Sequence, residues 1–429
     1  MAKKDKESKS IDVSIDSIFK EVDALNPDAS YLDNSALSYV DDYIDTGSLA
    51  LNAIISGDMF KGAPRGRILG FSGPSQSGKS LFVKQILGNA QKKGYTAVIW
   101  DTENAIDGAG SEALGLDSKK TKYYPVETIE ACRNQICTFL NRIITVNEAL
   151  RKEGKPEVKV IVAIDSVGNL ASAKELADIE KGKDSADMGT RAKALKSMMR
   201  ALTFLSAKSK VPIICTNHIY DNPSELHPSM IKTQSGGKGL VYLASILVQL
   251  SMTAERGNDD DGDSSEEDDN APMIAIANNR NGVNLTALTI KNRFAPPYLK
   301  TKLYLNFKTG LSKYAGLFDI GQAFNVIVRS GKRWVLVKDR TGINFNDTKI
   351  DWNPYILAGK AEMLGFKKEW ITDIKVWEKI IGPLNEVVKK ELTYGNGGLI
   401  ASKEAAEAAA IIGTDDIDDE IDDVNNTQQ

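Results

Sequence analysis

Cysteine is scarce and histidine nearly absent: the 429-residue chain holds three cysteines, Cys132, Cys137 and Cys215, and two histidines. An odd, sparse set of thiols makes no disulfide framework and suits a reducing compartment. The spacing of Cys132 and Cys137 lies outside the usual zinc pattern and no nearby histidine completes a ligand set, so buried small apolar residues are the better reading. Also missing is a run of roughly 18 uninterrupted apolar residues, the length a membrane helix requires. The opening Met1-Ala2-Lys3-Lys4-Asp5-Lys6 has no apolar stretch behind it that would mark a leader. A cytoplasmic protein with no membrane partner is expected, and no internal repeat is found.

What is present is an ordinary globular composition, 42% hydrophobic and 26% charged, in a chain long enough for two or three domains. The net charge of -4 conceals an asymmetry. Asp259 to Asp269 holds eight carboxylates and Asp415 to Asp423 seven, and setting those fifteen aside turns -4 into +11. A basic body with two detachable acidic segments is what a nucleic-acid binder with built-in electrostatic competitors would look like, although acidic loops also serve solubility alone.

Residues 1 to 12 are polar, and Val13 to Leu25 then carries Ile15, Ile18, Phe19 and Val22 at helical spacing. From about Gly47 the pattern becomes apolar strands alternating with amphipathic helices: Arg67 to Phe71, Thr96 to Trp100, Val158 to Ile164 and Val211 to Cys215. Continuous apolar strands separated by helices predict an α/β fold with a mostly parallel sheet covered on both faces. Further strands are expected at Ser245 to Met252, Leu285 to Ile290 and Thr301 to Leu305, with Gly257 to Asn270 too charged to pack. After Leu311 the pattern suggests amphipathic helices, such as Glu369 to Lys379 and Leu384 to Leu392, in a smaller C-terminal domain.

Gly73-Pro74-Ser75-Gln76-Ser77-Gly78-Lys79-Ser80 follows an apolar strand and opens a helix, the context a phosphate-binding loop needs. Glycines let backbone amides turn inward, the helix N-terminus adds positive potential, Lys79 reaches outer phosphates and Ser80 can ligate magnesium. Asp165, ending the strand Val158 to Ile164, reads as the carboxylate that holds the magnesium shell. Glu103, after Trp100-Asp101-Thr102, ends another strand at the same sheet edge, where a carboxylate can orient and deprotonate a water. In Ser185 to Ala201, Lys193, Lys196 and Arg200 share neighbouring rows of one helix and can track phosphates, with a solvated face as the alternative. Asp221 to Lys238 is a polar stretch suited to a ligand contact or a plain crossover.

Together with Asp45-Thr-Gly-Ser-Leu-Ala-Leu-Asn52, Ile164-Asp-Ser-Val-Gly-Asn-Leu-Ala-Ser172, Thr216-Asn-His-Ile-Tyr220 and Ser235-Gly-Gly-Lys-Gly-Leu240, these segments resemble the RecA family of recombinases, most closely its phage branch, the UvsX-type proteins. The similarity covers about residues 40 to 320 and rests on several linked motifs. It implies an N-terminal tail and oligomerisation helix (1–40), a RecA-like ATPase core (41–312), a small C-terminal domain (313–412) and an acidic disordered tail (413–429).

The resemblance also implies roles. Glu103 is then the general base for ATP hydrolysis, Asp107 contacts adenine and His218 senses the terminal phosphate. Gly108-Ala-Gly110 stands where some members of the family place an aromatic against adenine. Lys291 and Arg293 resemble a basic pair that reaches the ATP of the adjacent subunit. DNA-binding loops map to about Lys174 to Gly189 and Asp221 to Ser235. Met188 and Ile231 are candidate wedges between bases, and Lys193, Lys196, Arg200 and Lys232 candidate phosphate contacts. Gly236 and Gly237 suit close backbone approach, with Gly189 and Lys238 completing the candidate DNA set.

The expectation is an ATP- and Mg2+-dependent recombinase that forms a helical filament on single-stranded DNA and pairs it with homologous double-stranded DNA. A single-strand binding protein and a loading mediator are its expected partners, in an infected bacterial host if the chain is phage-encoded. A hexameric DNA-unwinding motor on the same core is the alternative, weakened by the lack of a large hexamerisation domain and by the Gly236-Gly237 pair. Lys79, Glu103 and Asp165 argue against a non-catalytic mediator.

Overall fold

The computed structural model describes residues 15–32, 35, 37–104, 106, 108–182, 188–220, 232–235, 239–252, 282–330, 333–337, 356–357, 360–366 and 374–392. The chain divides after Asp41 into two compact units. The first contains helix α1 (Ile15–Asp23), on which no residue is buried; Ile15, Ile18, Phe19 and Val22 form an exposed apolar stripe.

The second unit begins with β1 (Tyr43–Ile44), α2 (Leu49–Ser56) and β2 (Ala63–Pro64). It continues through β3 (Ile68–Gly73), α3 (Lys79–Lys92), β4 (Thr96–Asp101), α4 (Gly108–Ala113), β5 (Thr121–Pro125), α5 (Ile129–Lys152), β6 (Val160–Asp165), α6 (Ala173–Glu180), α7 (Met188–Ser209) and β7 (Ile213–Tyr220). Then come β8 (Thr233–Gln234), α8 (Gly239–Leu243), β9 (Ile246–Met252), β10 (Gly282–Asn292), β11 (Lys300–Asn306), β12 (Gly310–Leu311) and α9 (Leu317–Ala323). The C-terminal part adds β13 (Ile327–Ser330), β14 (Arg333–Val337), β15 (Ile356–Leu357), β16 (Lys360–Phe366) and α10 (Ile374–Leu392).

The central sheet runs β12-β11-β10-β9-β3-β7-β6-β4-β5, with β8 attached to β7. From β9 to β5 neighbouring strands are parallel, whereas β10, β11 and β12 are antiparallel. The expected mostly parallel α/β sheet is what forms. Successive side chains alternate between its two faces. Ile161 and Ala163 join Leu69, Phe71, Phe82 and Ile86 in the cluster under α2 and α3, while Val160, Val162 and Ile164 join the cluster under α5 and α7. Both faces are apolar because both are covered, which is why these strands read as unbroken hydrophobic runs. Cys132 and Cys215 are fully buried and unpaired, and burial pushes the Cys132 thiol up to about 12. No helix among the described residues is long and apolar enough to cross a membrane.

Past Leu311 the structure departs from the expected run of helices. Residues 327–337 form a hairpin, β13 opposite β14, in a four-stranded antiparallel sheet with β15 and β16. Its apolar strand residues Ile327, Val328, Trp334 and Val335, flanking a Gly-Lys turn, carry the β signal that the helical reading passed over. The last two expected helices are one: α10 runs through Pro383. A proline inside a helix costs about 3 kcal/mol. Here Trp377, Ile380, Leu384, Val388 and Leu392 lie buried along one face within the core under α2 and α3, which offsets that cost. Asn385 ties the helix down, accepting from Met59 N–H at 2.6 Å and donating to Asp58 at 3.0 Å.

Candidate functional site

The carboxyl ends of parallel strands, where helices begin, are where an α/β sheet binds ligands. β3 ends at Gly73 and α3 starts at Lys79, so residues 74–78 must reverse the chain tightly. Gly78, at φ 78°, and Gln76, at φ 63°, both take left-handed conformations to do so. No side chain caps α3, and its first amides are left for an anion. Any Cβ at Gly73 would sit 2.6 Å from Ser77 Oγ, a buried hydroxyl with no hydrogen-bond partner. A glycine-walled cradle, an uncapped helix start and an orphaned hydroxyl together fit a phosphate group.

Lys79 folds back onto this loop, donating to the carbonyls of Gly73 at 3.1 Å and Pro74 at 2.7 Å. Burial lowers its pKa, and the nearby charges of Asp165 and Glu103 work the other way. Asp165 is buried at the end of β6, in register with Asp101 on β4. Burial raises its pKa, while hydrogen bonds from Thr216 and Ser80 lower it and the charges of Glu103 and Asp101 raise it further. Asp165 and the Ser80 hydroxyl form a sparse set of hard oxygens. No group of three or more His, Cys, Asp or Glu among the described residues could hold a metal alone. That donor set fits Mg2+, which is usually held by one or two carboxylates and completed by water and substrate phosphates.

Glu103 is set by partners that sequence spacing does not reveal. Its Oε1 accepts from Ser166 Oγ at 2.9 Å and Asn169 Nδ2 at 2.7 Å, and lies 3.1 Å from His218 Nε2. Burial pushes the Glu103 carboxyl up, but the bonds from His218 and Ser166 and the charges of His218 and Lys79 outweigh it and hold the pKa below its ordinary value. Asp101 builds the turn beneath. One of its oxygens accepts from the N–H groups of Glu103 (2.8 Å) and Asn104 (3.0 Å), the other from Ile106 N–H (3.3 Å) and the Tyr123 hydroxyl (3.2 Å).

Elsewhere the structure separates the sequence candidates. Lys193, Lys196 and Arg200 are exposed on α7 near exposed Gly189, whereas Arg191 is half-buried and bonds the carbonyls of Leu170 and Gly168. Lys232 is half-buried beside β8. Lys291 pairs with Leu247, which pairs with Gly70, so β10 carries Lys291 and Arg293 toward the amino end of β3. At about 3.3 Å per residue, Arg293 is on the order of 13 Å along the sheet from Gly73, and the pair does not meet its own phosphate loop. The Lys291 ammonium bonds the Tyr242 carbonyl; burial, then the charge of Arg293, pushes its pKa down to about 8. Asp107, Ile231, Gly236, Gly237, Lys238, the Met188 side chain and the acidic segments lie outside the described residues.

Comparison with known proteins agrees with this geometry. A family model described as the RecA N-terminal domain matches residues 14–312. The chain is 27% identical over 296 residues to the protein RecA of Nitratiruptor sp., covering 69% of this chain and 75% of the relative. It is 28% identical over 310 residues to that of Chlorobium limicola, covering 72% and 77%. With the protein RecA of Treponema denticola the match is 26% over 387 residues, 88% of this chain and 84% of the relative.

Proposed function

The chain belongs to the RecA family, and on that footing we propose that it is an ATP-driven strand-exchange recombinase of the phage UvsX type. It works as a helical filament on single-stranded DNA and pairs that strand with homologous duplex. The observation that carries the reading is the convergence of Lys79, Asp165 and Glu103 beside an uncapped, glycine-walled helix start at the carboxyl ends of β3, β6 and β4.

ATP supplies the phosphoryl group and Mg2+ the positive charge that stabilises its transfer. Loop 73–80 cradles the phosphates, with Lys79 exchanging its two loop carbonyls for phosphate oxygens. Ser80 and Asp165 hold the metal. Glu103, ionised at neutral pH, orients the attacking water and takes its proton, and Ser166, Asn169 and His218 keep that carboxylate aimed. His218 sits at the end of β7, opposite Gly73, where it can relay the state of the terminal phosphate.

The exposed stripe of α1 supports docking on a neighbouring subunit. Exposed Lys193, Lys196 and Arg200 support a phosphate-tracking role. The distance of Lys291 and Arg293 from their own phosphate loop supports action on the neighbour's ATP. ATP then serves mainly as a conformational switch that favours the DNA-bound filament, and hydrolysis releases it. A single-strand binding protein and a loading mediator complete the partners.

Complementation tests the shared site. A Lys291→Ala, Arg293→Ala protein mixed with a Lys79→Ala protein should regain DNA-stimulated hydrolysis, because some mixed interfaces unite an intact loop with an intact basic pair. Co-assembled filaments without rescue would rule out catalysis at the interface.

A further inference from the structure

Three adjacent strands carry a polar row that the hydrolytic scheme does not use. Ser72 on β3 is in register with Asn217 on β7 and with Gln249 on β9. All three are buried, in strands that are otherwise apolar. Amides and hydroxyls in such a place need partners, and one short segment, residues 232–235, supplies most of them. Lys232 N–H donates to Gln249 Oε1 at 2.9 Å. Gln234 Nε2 donates to Ser72 Oγ at 3.1 Å, and Asn217 Nδ2 donates to Gln234 Oε1 at 3.1 Å and to the Ser235 carbonyl at 3.1 Å. Ser235 N–H closes onto the His218 carbonyl at 2.9 Å. The Gln234 amide thus bridges two strands, one end on Ser72 and the other on Asn217.

The two ends of this bridge matter. Ser72 immediately precedes Gly73, where the phosphate loop leaves β3. Residues 232–235 are where the chain rejoins the sheet after 221–231. We propose that Gln234 is a positioning residue that couples nucleotide occupancy of the phosphate loop to the DNA-contacting segment 221–235, through Ser72 and Asn217. This rests on the recombinase reading of that segment. The link is separate from the Glu103–His218 contact, since it leaves the nucleotide side from β3 rather than β4. When the phosphate loop adjusts to a nucleotide, Ser72 moves with it, and Gln234 follows or a buried hydrogen bond breaks. The row also has a second arrangement within reach. Asn217 Oδ1 is buried without a hydrogen-bond partner, facing Gly168, where a Cβ would come within 2.5 Å of it. Two arrangements of one packed polar element are what a coupling route requires.

The test uses the full chain and labelled oligo(dT), with the Kd measured with a non-hydrolysable ATP analogue and without nucleotide. The ratio of the two values is the coupling factor. Gln234→Met keeps the volume and removes both amide bonds, whereas Gln234→Glu can still accept from Asn217 and from the Ser72 hydroxyl. Gln234→Met should cut the ratio by roughly fivefold or more, and Gln234→Glu should restore most of it. Ser72→Ala, which removes only a hydroxyl, should reproduce the loss. The double variant should be no worse than the poorer single. A parental ratio in Gln234→Met, with or without a lower Tm, would make Gln234 a fold clamp and overturn the proposal, as would additive losses in the double variant. If the parent chain itself shows a ratio of one, the recombinase reading fails and takes this inference with it.

Discussion

Asp101→Asn is the most informative single change at the site, because Asp101 touches no phosphate yet sets the turn that carries Glu103. The side chain is 1% exposed and accepts four hydrogen bonds, three of them from the backbone of residues 103–106. The amide keeps one oxygen for Glu103 and Asn104, places an NH2 against the Ile106 N–H, and turns the remaining bonds from charge-assisted to neutral. With charge-assisted bonds worth about 1.5–3 kcal/mol and neutral ones about 1 kcal/mol, the turn loses about 2–4 kcal/mol of local stabilisation. Misplacing a catalytic group by about 1 Å costs on the order of 10²-fold. The expected outcome is therefore a fall in kcat of about 10²-fold. The KM for ATP should stay within about threefold, because residues 73–80 are untouched. The assay is steady-state ATP hydrolysis on poly(dT), paired with titration of a fluorescent ATP analogue, and Glu103→Gln gives the rate with the base removed. A parental kcat in Asp101→Asn, even with a lower Tm, would show that Ser166, Asn169 and His218 place Glu103 without the turn.

Two further outcomes follow from charge. The base form of Glu103 is the ionised one, and its pKa lies below the ordinary 4.5 despite burial, chiefly through the His218 bond. His218→Ala removes that bond and raises the pKa, so hydrolysis should be lost at a higher pH as the solution is acidified; an acid limb that does not move would refute the coupling. Replacing 257–270 with a neutral linker and deleting 414–423 should tighten binding to single-stranded DNA most at low salt, since exposed charges are screened over about 8 Å at physiological ionic strength. Equal affinities across a salt series would reduce these acids to solubility devices.

The parts of the molecule legible in the sequence are those whose cause is local. β3, β4, β6 and β7 read as apolar runs because both faces of a parallel sheet are covered, and the phosphate loop reads from its glycines and its position between a strand and a helix. The C-terminal hairpin was open to the same reading, but a helical periodicity in the surrounding residues masked it, and Pro383 suggested a break where tertiary burial of Trp377 and Leu384 keeps α10 continuous. The partners of Glu103 were not legible. Ser166, Asn169 and His218 reach it from β6 and β7, across sequence separations of 63 to 115 residues, and only sheet register brings them together. Asp101, Thr216 and Arg191 are likewise ordinary polar residues until the fold gives them neighbours.

The account's central claim is that ATP drives this chain to polymerise on single-stranded DNA. Negative-stain imaging of the full chain with ATP, Mg2+ and long single-stranded DNA tests it most directly. Continuous helical filaments that follow the DNA and are absent without nucleotide are the predicted result. Closed rings under the same conditions would contradict it and identify the ATPase core as that of a hexameric motor.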